Sequence, residues 1–132
     1  MIFNPEESID FHGFTGPFIQ YTHARIKSIL RKTGTDVQLT PSELLPLEKA
    51  LAIELTNFPA VINEAAETLD PSKVAIYTFN LAKLFNSFYA DLSIANAESV
   101  EKKNLRIKLS ILTAATLQKG MSALGIAVPE QM

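Results

Sequence analysis

At 132 residues and 47% hydrophobic, the chain is sized for one domain with one core, large enough to bury roughly two-thirds of the surface its unfolded form exposes. The net charge of −2 runs against the basic excess that usually marks a nucleic-acid partner, and no apolar run approaches the roughly 20 residues of a membrane-spanning helix. The sequence has no cysteine, which excludes a disulfide framework, a thiolate metal site and a thiol nucleophile, and it opens with the acidic stretch MIFNPEES where a secretory signal would be basic and then apolar, so a soluble, cytoplasmic protein without a membrane partner is expected.

Met1 to Gly16, with Pro5, Gly13 and Gly16 among polar and aromatic residues, reads as an irregular lead-in, and residues 17–132 as the folded domain. A first helix is predicted from Pro17 to about Lys32, with Phe18, Thr22, Arg25 or Ile26, and Ile29 recurring at steps of three and four, and Gly34 ending it. Thr40-Pro41-Ser42-Glu43 has the form of a capping box, which places the start of a second helix there. Leu44, Leu47, Leu51 and Leu55 continue it at helical spacing to the break at Phe58-Pro59. A shorter third helix carries Val61, Ile62, Ala65, Ala66 and Leu69 and stops at Asp70-Pro71, which resembles the N-cap and first position of a fourth. That fourth helix is predicted to reach about Asp91 with the stripe Val74, Tyr77, Leu81, Leu84 or Phe85, and Phe88, leaving Asn86 and Tyr89 on another face. After the polar break Asn96 to Ser99, the last helix carries Leu105, Ile107, Leu109, Ile111, Leu112, Ala114, Leu117 and Met121, with Gly125 placed to cap it. No segment has a useful two-residue period, so the expected fold is an all-α bundle of about five helices joined by short connections.

Charge is unevenly spread. Between Asp36 and Asp70 there are seven acids and one base, Lys49, whereas Arg25, Lys27, Arg31 and Lys32 form one basic segment and Lys102, Lys103, Arg106 and Lys108 another. From charge alone these segments are either solvated helix faces or phosphate contacts. Chemistry is harder to find. His12 and His23 stand in different elements without metal-ligand companions, Glu6-Glu7 lies on the lead-in, and Ser8 and Ser28 have no evident base. The Gly13 to Pro17 turn lacks the GK[ST] ending and the preceding strand of a phosphate loop. No catalytic residue and no metal ligand is assigned.

The segment Gly13-Phe14-Thr15-Gly16-Pro17-Phe18-Ile19-Gln20-Tyr21, followed by Arg25, resembles the Gly-x-Thr-Gly-Pro-aromatic-x-Gln-Tyr-x-x-x-Arg string of arginyl-tRNA synthetases. Leu81 to Tyr89 is similar to the family's Leu-Ala-x-x-Phe-Asn-x-Phe-Tyr helix, Arg106 to Leu109 to its Arg-Leu-x-Leu, and Leu124 to Met132 to its terminal Leu-Gly-Ile-x-x-Pro-Glu-Arg-Met, with Gln131 in place of the arginine. The resemblance covers essentially the whole chain. It implies a C-terminal DALR-type anticodon-binding domain, separate from the catalytic domain in which ATP and magnesium would act, and therefore without a cofactor or activity of its own. The implied partners are an arginine tRNA, through its anticodon stem-loop, and the parent's own catalytic domain, with no DNA. Single-stranded RNA loops are read by stacking splayed bases on aromatic faces while cations hold the backbone. The resemblance accordingly implies RNA contacts at Tyr89 and Met132, with Asn86, Arg106, Lys102 and Lys103 as further RNA-binding candidates, and a domain-junction role for Gln20, Tyr21 and Arg25. Periodicity alone favours a tyrosine half-buried against a neighbouring helix for Tyr89, a preference that the resemblance reverses. A noncatalytic protein-interaction bundle is the competing function.

Overall fold

The structure is a computed structural model that describes residues 15–125. Among these residues there are five helices and no strand: α1 (Thr15–Thr33), α2 (Pro46–Thr56), α3 (Phe58–Thr68), α4 (Ser72–Asp91) and α5 (Val100–Ala123). The three long helices α1, α4 and α5 pack on one another; α2 lies against α4 and α5, and α3 against α4. The core is built from Ile19 and Ile26 of α1, Leu51 of α2, Leu81, Phe85 and Phe88 of α4, and Ile107, Leu117 and Met121 of α5. These follow the three- and four-residue steps that make one face of a helix apolar. On α1 the buried line runs through Ile19, Thr22, Ile26 and Leu30, leaving Phe18 and Ile29 partly covered. Thr22 is tolerated inside because its hydroxyl donates to the Phe18 carbonyl at 2.9 Å. On α5 the predicted stripe holds except at Leu112, which faces solvent.

The start of α2 departs from the expectation. Thr40 does not cap a helix; residues 34–45 are irregular and α2 begins at Pro46. A helix starting near Pro41 would carry Pro46 in its interior, where its ring would meet the Ser42 carbonyl and its missing N–H would break the ladder. Placed at the first position, the same proline costs nothing. Glu48, two residues further on, takes the reciprocal role that the sequence suggested for Glu43, accepting from the Leu45 amide at 2.8 Å.

The break between α2 and α3 is a single residue, Asn57, and Pro59 falls in the first turn of α3. The third helix ends one residue earlier than Leu69, which takes the left-handed conformation at φ 53°. The Asp70 amide then closes on the Ala65 carbonyl at 2.9 Å, the Schellman arrangement. The start of α4 falls one residue later than predicted, with Pro71 at the N-cap position and the Asp70 carboxylate just before it accepting from the Ser72 amide at 3.1 Å. Gly34 and Gly125, both at positive φ, terminate α1 and α5 as expected. A third glycine, Gly120, is needed for a different reason: a Cβ there would collide with the Thr78 side chain of α4.

Candidate RNA-binding cleft

Two polar positions one turn apart on α1, Thr22 and Arg25, face two on α4, Asn86 and Tyr89. Asn86 sits at the centre. Its Nδ2 donates to Thr22 Oγ1 and to the Ala82 carbonyl, each at 3.0 Å, while its Oδ1 accepts from Arg25 Nη1 at 2.9 Å. This fixes the guanidinium, whose carbon lies 4.7 Å from the centroid of the Tyr89 ring. Phe85 also packs on Tyr89, its ring nearly parallel at 8° with centroids 6.1 Å apart. Phe85 belongs to the core, so the tyrosine stands on a rigid base. The result joins a core phenylalanine, a half-buried tyrosine and a planar cation in one cluster.

Tyr89 and Arg25 line an open cleft of about 940 Å³ between α1, the C-terminal end of α4 and the turn that follows α4. Tyr21, Arg31 and Lys32 of α1 and Asn96 of the turn also line it. Tyr21 is 55% exposed, an aromatic face open to solvent. Asp91 is an acidic residue on the same wall. Among the described lining residues, three cations stand against one acid, a positive balance that the whole chain lacks.

The sequence-derived candidates separate into groups. Tyr89 and Asn86 are brought together with Arg25 and Tyr21, so two residues read as belonging to a domain junction stand at the cleft itself. Gln20 is half-buried on α1 and does not line the cleft. Met132 lies outside the described residues, as does the lead-in up to residue 14. Arg106 is not a surface phosphate ligand, because it is 1% exposed and its Nε and Nη2 engage Glu48 and Glu98, each at 2.9 Å. Lys102 is directed inward too, its Nζ bonding Glu48 Oε1 at 2.7 Å and the Glu43 carbonyl. Lys103 is half-buried on α5, away from the cleft-lining residues. The basic segment that meets Tyr89 is therefore the first, on α1, and the second supplies an internal ion cluster.

In that cluster, burial alone would raise the Glu48 carboxyl, but hydrogen bonds from Lys102, the Leu45 amide and Arg106 outweigh it and hold the carboxyl below its usual value. Glu98 is lowered as well, by its own backbone amide and by Arg106. Among the described residues no group of three histidine, aspartate or glutamate side chains is gathered as a metal site. No helix among them is long and apolar enough to cross a membrane.

A family model, the DALR anticodon binding domain, matches residues 19–132. The chain belongs to the DALR anticodon binding domain family. This DALR domain is similar over its whole length to an arginine–tRNA ligase of Flavobacterium psychrophilum, 49% identical over 133 aligned residues, and to one of Bacteroides fragilis, 45% identical over 138. It spans 22% and 23% of those two proteins. Among solved structures it resembles Thermus thermophilus arginyl-tRNA synthetase with a TM-score of 0.84 and 36% identity, covering 98% of this chain and 23% of that one. The Plasmodium falciparum arginyl-tRNA synthetase matches with a TM-score of 0.74 and 25% identity, over 98% of this chain and 23% of its own.

Proposed function

We propose that this DALR domain binds the anticodon stem-loop of an arginine tRNA as the noncatalytic part of an arginine–tRNA ligase, and that the α1–α4 cleft receives unstacked bases. The observation that carries this reading is the Tyr89–Arg25 pair, packed on core Phe85, in a cleft whose described lining residues have a positive balance. Such a site joins the two ingredients of single-strand recognition, a planar platform for a base and cations for the adjoining phosphates. Arg25 is a planar group on which a base can stack, while Asn86 keeps it over the tyrosine. Arg31 and Lys32, at the C-terminal end of α1, would follow the backbone. ATP, magnesium and the joining of arginine to tRNA belong in this reading to the catalytic domain of the parent, and the compartment to the cytoplasm. Met132 stays as a candidate contact carried by the family resemblance alone, and Lys103 as a phosphate candidate by its charge.

The experiment is a titration of the chain with an arginine tRNA and a noncognate tRNA across a salt series. Cognate preference that weakens with salt is expected. Tyr89→Ala should lose about 1 to 3 kcal/mol of binding, the worth of one base–aromatic stack, while Tyr89→Phe keeps most of it. Equal binding of both tRNAs, or an unaffected Tyr89→Ala variant that remains folded, would refute the reading.

A further inference from the structure

The ion cluster and the cleft share a piece of backbone. Arg106 donates from Nη1 to the Ser93 carbonyl at 2.8 Å and from Nη2 to Glu98 at 2.9 Å, so it grips both ends of the irregular turn between α4 and α5. Residues Ser93 to Asn96 of that turn form part of the cleft. Within the turn the Asn96 amide is tied to Ser93 Oγ at 2.9 Å, and Ile94 is buried in the core. Arg106 is in turn fixed from behind by Glu48, which is 0% exposed and belongs to α2, an element that contributes nothing to the cleft.

We infer that Arg106, braced by Glu48, is a positioning residue for RNA binding: it never meets RNA, but holds the Ser93 to Glu98 turn at the distance from α1 that the cleft needs. This rests on the cleft being the RNA site. An irregular turn has few backbone bonds of its own, so two charge-assisted hydrogen bonds from one immobile guanidinium decide where it stands. A planar fork whose three nitrogens reach Glu48, Ser93 and Glu98 separately explains an arginine here and not a lysine.

Glu98 offers the test, because its side chain is 57% exposed and can be removed without opening the core. On charge alone, deleting an acid near an RNA site tightens binding. Positioning requires the opposite: Glu98→Ala in the full chain should bind an arginine anticodon stem-loop about two- to five-fold more weakly, the scale of one exposed ion pair, with an unchanged melting profile. Glu98→Gln, which retains an acceptor for Arg106, should recover most of the loss. Amides of residues 93–97 should exchange faster in Glu98→Ala without RNA, and those of α1 and α4 should not. Tyr89→Ala serves as the control. If it weakens binding and Glu98→Ala leaves binding equal or tighter, the positioning role is overturned while the cleft stands. If Tyr89→Ala has no effect, the cleft reading fails, and unchanged exchange in the turn would then overturn the positioning role independently.

Discussion

Glu48 shows how much one buried carboxylate can carry. It is fully enclosed and meets Lys102, Arg106 and the Leu45 amide, so it joins α2 to α5 and completes its own helix start. Replacing it leaves the Arg106 charge buried with Glu98 as its one acidic partner, and breaking a buried pair from one side costs about 3 to 5 kcal/mol. Glu48→Gln is therefore expected to lower unfolding stability in urea by about 3 kcal/mol at pH 7. The folded carboxyl lies below its ordinary value, so its contribution is complete above the unfolded value of about 4.3 and is lost as pH falls through the folded one. The gap between the two proteins should accordingly narrow below about pH 4, measured by parallel urea melts. Nothing in the sequence distinguished Glu48 from the other acids between Asp36 and Asp70. Its partners come from α5, more than fifty positions away, and such a pairing leaves no local pattern.

At the scale of elements the sequence was most legible where a residue type has a single cheap use. Asp70-Pro71 and Gly34 mark boundaries by backbone chemistry alone, and the structure uses them so. Thr40 to Glu43 misled because two start signals competed, and Pro46, which a helix tolerates only in its first turn, outranked a capping box that many loops can imitate. The end of α3 was missed for a related reason: the chain turns left-handed at Leu69, a residue type that avoids this conformation. Leu69 is 88% exposed, so its side chain gains little from packing. Leu69→Gly is thus expected to stabilise the protein by about 0.5 to 1 kcal/mol, relief of the left-handed strain exceeding the added freedom of the unfolded chain, and a raised thermal midpoint in calorimetry would show it. The candidate cleft was half legible. Tyr89 and Asn86 stood out as polar or amphipathic residues off the apolar stripe of α4, but which basic segment they meet depends on how α1 docks, and periodicity within a helix says nothing of its neighbour.

Across the whole molecule, the close approach of α4 and α5 sets the geometry on which both the core and the cleft rely. Gly120 makes that approach possible, lying against Thr78, whose hydroxyl is already committed to the Val74 carbonyl at 2.7 Å. Gly120→Ala should improve local helix propensity yet destabilise the fold by about 1 to 3 kcal/mol through overpacking, as read by a lower midpoint in denaturant. Thr78→Ala in the same background should recover part of the loss by removing the hydroxyl oxygen that a Cβ at position 120 would meet first.

The order of the helices also separates the charges. Most of the acids between Asp36 and Asp70 belong to α2, α3 and their flanks, while Arg25, Arg31 and Lys32 belong to α1, and α4 packs between α1 and α3. Among the described residues, acids and bases are therefore set apart on different helices. At physiological salt, fields decay over about 8 Å, so an approaching polyanion at the cleft senses the near cations and scarcely the distant acids. In the proposed RNA-binding role the acids of α2 and α3 would act earlier, at longer range and lower salt, by favouring approaches in which α1 leads.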